Sequence, residues 1–239
     1  NSEESKSDVN KSGKKEYDWS WFQNKSYDKI ERPRASFINE QDPCWIKEFL
    51  SKEESDKVFQ KLKDNVPWSK NPKWSWGYKL PQNAYYYDSK ARKNKSTHID
   101  ILEELVIKIE NEFKTNIFEV WCNYFEDGNQ FIEWHQDQYG YDCFTLSFGV
   151  ERKFLMRDKK SKKQVAEYDL KNGDLYFFSQ DADKKNEHSV PINEKVSDER
   201  ISILFFIDWP LSRDDGYVWD PLQRKYIEKG GDKKQGDKQ

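Results

Sequence analysis

The pattern of apolar and polar positions changes its period near residue 116 and divides the chain into two parts. Upstream, two segments repeat apolar residues at three- and four-residue steps, which predicts amphipathic helices over 51–64 and 97–113. Downstream, short runs alternate or are continuously apolar, which predicts strands at 117–125, 144–150, 153–157, 165–170, 174–179 and 200–207. Helices followed by many short strands predict a mainly β fold with flanking helices, in which two helices cover a β-sandwich or jelly roll.

Each predicted helix has a start signal and an apolar face. Ser51 and Glu54 have the spacing of a capping box at the first helix. The apolar face of that helix consists of Val58, Phe59 and Leu62. The second helix is expected to begin at Thr97, and its apolar face consists of Ile101, Leu102, Leu105, Val106 and Ile109. We expect both helices to pack on the sheet.

Both ends of the chain are polar, rich in Lys, Ser and Gly, and lack a hydrophobic period. We therefore expect disordered tails at 1–18 and 229–239. Between them, 19–228 is predicted to form a single domain with its core at 45–207, because no repeat or linker interrupts it.

The composition limits the classes of function. Aromatic residues make up 16% of the chain although 36% is charged and the mean hydropathy is −1.14, so aromatic rings must supply much of the core or line a site. The net charge of −3 gives no overall attraction to nucleic acid or to an anionic membrane. No apolar run has the length of a membrane span. Three cysteines without a CxxC motif predict free thiols and an intracellular protein, nuclear or cytoplasmic and not secreted.

Two of the only three histidines lie in a pattern that is typical of a metal site. In the run "WHQDQYG", His135 precedes Asp137 by two positions, and such residues face the same side of a strand. A carboxylate buried there without a partner would be costly, and a metal ion would remove the cost. His188 follows the next strands in "NEHSVP". Two histidines and a carboxylate form the facial triad of non-haem Fe(II) oxygenases.

A basic residue and a hydroxyl group begin the last long strand. The two-residue period of a strand directs Arg200 and Ser202 to the same side, where they suit one carboxylate of a small dicarboxylic acid. Each residue also has a structural alternative. His188 could lie in a surface turn, Arg200 could pair with Asp198 or Glu199, and Asp137 could be solvated. The order and spacing of the whole set favour the functional interpretation.

The local charge is uneven. Residues 61–95 contain nine Lys or Arg residues and two Asp residues, with seven aromatic residues between them. The segment 151–163 carries seven positive and two negative charges. Basic residues interleaved with aromatic rings are typical of surfaces that bind single-stranded nucleic acid or a flipped base. The structural alternative is a solvated basic loop whose aromatic residues pack on the sheet.

Several runs together resemble the AlkB-like Fe(II)/2-oxoglutarate dioxygenases over roughly residues 45–207: "NYFEDGNQFIEWHQD", "FTLSFGVERKFLMR", "LKNGDLYFF", "HSVP" and "RISILFF". Upstream, "LPQNAYYYDS" resembles the substrate lid of that family. The resemblance implies a double-stranded β-helix, the jelly roll, with Fe(II) bound by His135, Asp137 and His188 and with O₂ as oxidant. It also implies that 2-oxoglutarate is bound by Asn123 and Tyr124 at one end and by Arg200 at the other.

The chain departs from the family's pattern at three positions. Phe125 stands where the family has a tyrosine, Phe206 where it has a second arginine, and Gln82 follows Pro81 where an arginine is usual. We expect Ser202 to replace the hydroxyl group of the missing tyrosine as a ligand of the cosubstrate.

The function that the resemblance implies is hydroxylation of a C–H bond, above all the oxidative demethylation of methylated bases in single-stranded or flipped-out nucleic acid. The predicted substrate-binding residues are Trp74, Trp76, Tyr78, Gln82, Tyr85, Tyr87 and Trp134. Contacts with the nucleic-acid backbone are predicted for Lys90, Arg92 and Lys93. Two alternatives stay open: the same chemistry on a protein side chain, and a non-catalytic jelly-roll binding module.

Overall fold

The computed structural model of the protein describes residues 43–73, 79–113, 115–137 and 141–207, and the backbone of two further strands. The predicted tails at 1–18 and 229–239 lie outside the described residues. In this part of the chain the helices are α1 (Lys52–Asn65), α2 (Ser89–Lys93), α3 (Asp100–Phe113) and α4 (Gln180–Lys185). The strands are β1 (Cys44–Ile46), β2 (Asn83–Tyr87), β3 (Ile117–Phe125), β4 (Ile132–His135), β5 (Asp142–Gly149), β6 (Arg152–Asp158), β7 (Gln164–Leu170), β8 (Leu175–Phe178), β9 (Asn186–Val190), β10 (Arg200–Ile207), β11 (Tyr217–Asp220) and β12 (Lys225–Glu228).

Two antiparallel sheets form the described core. The major sheet has the strand order β1-β8-β5-β10-β3-β2, and the minor sheet has the order β4-β9-β6-β7. One cluster of buried side chains lies between the major sheet and the helices α1 and α3. A second cluster joins the inner faces of the two sheets. The expected mainly β jelly-roll core with flanking helices is therefore confirmed.

The helices α1 and α3 form where the apolar period predicts them. Ser51 caps α1, since its side chain accepts a hydrogen bond from the backbone N–H of Glu54 at 3.2 Å. Val58 and Leu62 are buried on the face of α1 that meets the sheet, and Phe59 is half-buried beside them. The five apolar residues predicted for the second helix are all buried. Burial of these faces contributes on the order of 1.5–3 kcal/mol for each large side chain.

The second helix begins three residues later than predicted. α3 starts at Asp100, and Thr97 lies in the preceding turn. The hydroxyl of Thr97 donates to the backbone oxygen of Ala91 at 2.9 Å, so it satisfies the end of α2 and does not cap α3. A helix start read from one polar residue is uncertain because several nearby carbonyl groups compete for the same hydroxyl.

The elements that the sequence did not predict are short. They include α2 and α4, and the strands β1, β2, β4 and β9. Elements of three to six residues show too little periodicity to be recognised, and their positions depend on pairing with distant strands. The strand β2 lies inside the segment that resembles the family's lid, and it forms an edge of the major sheet beside β3.

The predicted chemical state of the cysteines agrees with the structure. Cys44 is half-buried, Cys122 and Cys143 are buried, and none of the three forms a disulfide in the described part of the chain. Among the described residues, no helix has both the length and the apolar character needed to cross a bilayer.

Candidate active site

Three potential metal ligands meet on the inner face of the minor sheet. His135 ends β4, Asp137 follows two residues later, and His188 lies on β9, where it pairs with His135 in the strand register. One ligand atom from each side chain lies within 4.8 Å of the other two. Asp137 Oδ1 lies 3.3 Å from His135 Nε2 and 3.6 Å from His188 Nε2. The second oxygen, Oδ2, is buried without a hydrogen-bond partner. This set of two imidazoles and one carboxylate, with a carboxylate oxygen left unsatisfied, fits a divalent metal ion such as iron.

The outer nitrogens of the two histidines face hydrogen-bond acceptors. Nδ1 of His135 donates to the backbone oxygen of Glu133 at 2.8 Å. Nδ1 of His188 is buried without a hydrogen-bond partner and faces Oδ1 of Asp183 at 3.6 Å, beyond hydrogen-bond distance. This arrangement leaves Nε2 of both rings directed towards Asp137, as metal-bound histidines usually are.

The protonation states of the site suit a metal. Burial lowers the pKa of His188, and the neighbouring charge of His135 lowers it further. Burial alone would raise the pKa of Asp137, but the charges and hydrogen bonds of His188 and His135 outweigh it and hold that pKa below its ordinary value. An ionised carboxylate and a neutral imidazole are the forms that bind metal, and the shifts favour these forms for Asp137 and His188. Burial alone would lower the pKa of His135, but its hydrogen bond with Asp137 and the charge of that carboxylate raise it, so a bound metal would displace a proton from His135.

Asp137 reaches the site differently from what the strand pattern predicted. The strand ends at His135, so Asp137 does not continue an alternating inward row. Its backbone N–H instead donates to Oδ1 of Asp183 at 2.9 Å. Gln136, between the two predicted ligands, donates from Nε2 to the backbone oxygens of Asp183 and Lys184 at 2.6 and 3.0 Å. Contacts with α4 therefore fix the position of Asp137.

Arg200 is a buried cation without a charged partner among the described residues. Its side chain is 2% exposed, and Nη2 donates to the hydroxyl of Ser147 at 3.0 Å. Nε and Nη1 are buried and have no hydrogen-bond partner. Burial, with a smaller effect from the charge of Arg152, lowers the pKa of Arg200 to about 9. Two unsatisfied donors on a desolvated guanidinium fit a carboxylate that binds from outside the chain.

A hydrogen-bond network links three of the predicted cosubstrate and substrate residues. Ser202 pairs with Asn123 in the strand register, and Asn123 Nδ2 lies 3.5 Å from the hydroxyl of Ser202. The amide oxygen of Asn123 accepts hydrogen bonds from Gln82 Nε2 at 3.1 Å and from Trp121 Nε1 at 2.8 Å. Gln82 keeps a buried oxygen, Oε1, without a partner. The structure thus brings Asn123, Ser202 and Gln82 together on the inner face of the major sheet.

The prediction that Tyr124 contacts the cosubstrate is wrong. Tyr124 alternates with Asn123 along β3 and therefore faces the helices, where its ring belongs to the outer core cluster. Its hydroxyl donates to Glu199. Phe125 lies on the inner face in its place, with its ring centre 5.4 Å from the guanidinium of Arg200 and 5.5 Å from that of Arg152. The aromatic ring thus lies within cation–π distance of two buried guanidinium groups, at a position where the family has a hydroxyl.

The predictions that Tyr85 and Tyr87 bind substrate are also wrong, for the same reason of alternation. Tyr87 is fully buried against the helices, and its hydroxyl accepts a hydrogen bond from the backbone of Ile99 at 3.1 Å. Tyr85 packs against the same cluster. Tyr86, between them, faces the inner side, where its hydroxyl donates to Glu119 and its ring lies 5.9 Å from that of Trp121. Reading the strand one residue out of phase exchanges its two faces.

Trp134 points away from the metal ligands, so its predicted contact with substrate beside His135 is not supported. The guanidinium of Arg157 lies 4.0 Å from the indole centre. Arg157 also pairs with Glu187, the neighbour of His188 on β9, on the outer face of the minor sheet. The adjacent residues Trp134 and His135 therefore face opposite sides of β4.

Of the predicted backbone contacts, Lys90 and Lys93 are exposed and Arg92 is not available. Nε and Nη2 of Arg92 bind the two carboxylate oxygens of Glu103 at 2.8 and 3.1 Å, and Nη1 donates to the backbone oxygen of Ile117. The ion pair is about 7–8% exposed, so this arginine joins α2 to α3 and cannot neutralise a phosphate. The remaining predicted residues Trp74, Trp76 and Tyr78 lie outside the described residues.

We expect Arg92→Ala to destabilise the protein by about 3–5 kcal/mol, because it removes the guanidinium that neutralises the buried carboxylate of Glu103 and binds both of its oxygens. Lys93→Ala, which removes an exposed charge next to it, is the matched control and should change stability by less than about 0.5 kcal/mol. Denaturant unfolding followed by circular dichroism measures both. Equal stability of the two variants would contradict the structural role of Arg92.

Two buried residues of the site were not predicted. Arg152 donates from Nη1 to the backbone oxygen of Asp127 at 3.2 Å and from Nη2 to those of Gln130 and Pro191 at 2.9 and 2.8 Å. It therefore holds the segments before β4 and after β9 together. Asp183 contacts both His188 and Asp137 from α4. No sequence motif marks Asp183, whereas Arg152 was visible only as one charge of the basic segment 151–163.

Comparison with known proteins agrees with the site. Residues 42–205 match the sequence family described as the 2OG-Fe(II) oxygenase superfamily. The alpha-ketoglutarate-dependent dioxygenase alkB homolog 3 of Mus musculus is 23% identical over 190 residues, which are 74% of this chain and 65% of that protein. The Rattus norvegicus protein of the same name is 23% identical over 192 residues, 71% of this chain and 65% of that protein. The chain thus spans about 65% of the length of these relatives. A solved structure described as "The structure of OsALKBH1" has a TM-score of 0.46 at 16% identity and covers 68% of this chain and 95% of that one.

Proposed function

The chain belongs to the 2OG-Fe(II) oxygenase superfamily as an AlkB-like dioxygenase that uses Fe(II), 2-oxoglutarate and O₂, and on this premise we propose that it oxidises methyl groups on nucleic-acid bases. The two unsatisfied groups of the inner face support this proposal. They are Oδ2 of Asp137, whose other oxygen faces the two histidines, and the buried guanidinium of Arg200. One suits the metal and the other suits a carboxylate of the cosubstrate.

We assign the roles of the residues from these contacts. His135, Asp137 and His188 would hold the iron, and Arg200 would bind a carboxylate of 2-oxoglutarate with Ser147 and Ser202 beside it. When bound, iron and 2-oxoglutarate would supply the oxidation of a C–H bond to C–OH by O₂: one oxygen atom goes to the substrate and the other to succinate, which forms from 2-oxoglutarate with release of CO₂. The protein orients the reactants and excludes water, and the aromatic residues between the two sheets keep the site apolar. If the carbon is an N-methyl group, the hydroxymethyl product releases formaldehyde, and the base is demethylated.

A basic surface beside the metal ligands supports a polyanionic substrate. The turn between β6 and β7 carries the exposed lysines Lys159, Lys160 and Lys163. Lys159 donates from Nζ to the side chain of Gln136, and its backbone N–H donates to the backbone oxygen of Lys185 on α4 at 3.0 Å. The basic segment 151–163 thus approaches the chain between His135 and Asp137. Positive charge at this position would bind the phosphate backbone of a strand whose base enters the site.

Mass spectrometry of nucleosides tests the proposal. Single-stranded DNA and RNA that carry methylated bases would be incubated with the protein, Fe(II) and 2-oxoglutarate, and then digested. The proposal predicts loss of a methylated nucleoside together with stoichiometric succinate and formaldehyde. If succinate forms, the nucleosides do not change and the same oxidation is found on a protein, the substrate is a protein side chain and not a nucleic acid. A complete absence of 2-oxoglutarate turnover would favour a non-catalytic binding module.

We expect the double substitution Lys160→Gln and Lys163→Gln to make binding of single-stranded DNA less dependent on salt. Each lost phosphate contact should reduce the slope of log Kobs against log[salt] by about 0.7, or about 1.4 for both. Fluorescence anisotropy at several salt concentrations measures the slope. The control is Lys52→Gln with Lys57→Gln, which removes the same charge from exposed positions of α1. Equal slopes for the two double variants would contradict binding at the β6–β7 turn.

A further inference from the structure

We propose that Asp183 is a positioning residue of the metal site, which orients His188 through Nδ1 and the main chain of Asp137 through its N–H group. The proposal rests on the metal site proposed above and does not depend on the substrate. The same oxygen, Oδ1, lies 2.9 Å from the backbone nitrogen of Asp137 and 3.6 Å from Nδ1 of His188. One carboxylate oxygen therefore contacts two of the three ligand residues.

Contacts that do not involve the metal ligands hold the helix α4, which carries Asp183. The side chain of Ser179 accepts a hydrogen bond from the backbone N–H of Ala182 at 3.1 Å, and its backbone oxygen accepts one from Asp183 at 3.0 Å. These contacts cap α4 and set the direction of the Asp183 side chain. At the other side, Gln136 binds the backbone oxygens of Asp183 and Lys184. The segment from His135 to Asp137 is thus attached to α4 by three hydrogen bonds.

The two histidines need outer contacts of the same kind. His135 donates from Nδ1 to a backbone oxygen of its own strand, the carbonyl of Glu133. His188 is directed towards a side chain from another element, Asp183. A proton held on Nδ1 leaves Nε2 with a free electron pair for the metal, and an acidic acceptor increases the electron density of the ring. A carboxylate oxygen facing Nδ1 favours a proton there, so Asp183 would select the form of His188 that can act as a ligand.

The burial of Asp183 is otherwise costly. The side chain is 5% exposed, and no lysine or arginine of the described residues forms an ion pair with it. A buried carboxylate that contributes only to folding is normally paired with a cation or replaced by an apolar residue. Its contacts are with the ligand residues themselves, so a bound divalent cation would supply the missing positive charge nearby.

Metal titration of the purified apoprotein tests the role. Co(II) replaces iron as an oxygen-stable spectroscopic probe, and its visible absorption reports both affinity and ligand geometry. Asp183→Ala should weaken Co(II) binding by about 10–100-fold and alter the absorption band. Asp183→Asn should retain most of the affinity, because its amide oxygen can still accept the hydrogen bond from the backbone N–H of Asp137 and can still face Nδ1 of His188. Asp181→Ala, on the exposed side of the same helix, is the matched control and should bind Co(II) like the unmodified protein.

A second measurement needs no metal. In long-range ¹H–¹⁵N spectra of the apoprotein, neutral His188 should carry its proton on Nδ1, and this preference should survive in Asp183→Asn. A proton on Nε2 in the unmodified apoprotein would overturn the proposal. So would unchanged Co(II) affinity in a folded Asp183→Ala variant. If that variant does not fold, Asp183→Asn and the spectra of the unmodified protein decide. Failure of the unmodified protein to bind Co(II) would instead refute the proposed function.

Discussion

Asp137→Ala is expected to abolish 2-oxoglutarate turnover and to remove the stabilisation of the protein by metal. The substitution deletes the only carboxylate among the three grouped ligands and leaves two imidazoles, which are too few to hold the metal. For the unmodified protein, metal at a hundred times its dissociation constant should add about 2.7 kcal/mol to the free energy of unfolding. Thermal unfolding with and without Co(II), measured beside succinate formation, checks both effects.

The fold of the Asp137→Ala variant should persist without metal, because the deleted carboxylate has one buried oxygen without a partner. His188→Ala should have the same two effects on turnover and on metal stabilisation. His98→Ala is the control, since this third histidine is exposed and lies 3.3 Å from Asp100, near the start of α3. Full turnover in His188→Ala, or loss of turnover in His98→Ala, would refute the assignment of the ligands.

Arg200→Met is expected to raise the KM for 2-oxoglutarate by about 30-fold or more. Loss of a buried charged partner of a carboxylate costs roughly 2–5 kcal/mol, and each 1.4 kcal/mol corresponds to a factor of ten. The protein without cosubstrate should stay folded and equally or more stable at pH 7. Burial lowers the pKa of Arg200 to about 9, which means that the folded state disfavours its charged form. The free-energy cost of burying the charged guanidinium is fully present below pH 9, and the substitution Arg200→Met removes it.

Two comparisons sharpen the test of Arg200. Ser202→Ala should weaken the binding of 2-oxoglutarate by only about 1 kcal/mol, as expected for the loss of one neutral hydrogen bond. Arg157→Met removes an arginine from the outer face of the minor sheet, where it pairs with Glu187, and should leave the KM for 2-oxoglutarate unchanged. Initial rates of succinate formation over a range of 2-oxoglutarate concentrations give all three values. An unchanged KM in Arg200→Met would mean that the cosubstrate carboxylate binds elsewhere.

The long elements and the chemically distinctive residues were predictable from the sequence. The strands β3 and β10 have the predicted bounds, since each has eight or nine residues with a strong β pattern. His135, Asp137, His188 and Arg200 were recognisable because histidines are rare in this chain and their order resembles a known family. The family supplied the cosubstrate, while the residues alone indicated a metal beside a site for a small dicarboxylate.

The errors at the two predicted tyrosines of β2 have one physical origin. A strand exposes alternate residues on opposite faces, so an element of five residues such as β2 can be read in either phase from its sequence. Tyr85 and Tyr87 were assigned to the site, but the pairing of β2 with β3 places Tyr86 there.

Arg92 was counted as a surface charge because a sequence does not show that Glu103, eleven residues away, lies beside it.

The sequence by itself thus determined the two-helix and many-strand order, the jelly-roll class and the identity of the three grouped ligands, because these depend on local periodicity and on rare residue types. Only the tertiary structure decided which face each short strand turns to the site and which distant groups support the ligands. Asp183 contacts Asp137 across 46 positions of sequence, and Arg152 reaches Pro191 across 39. Such contacts arise from the packing of the two sheets and α4, and no local pattern encodes them.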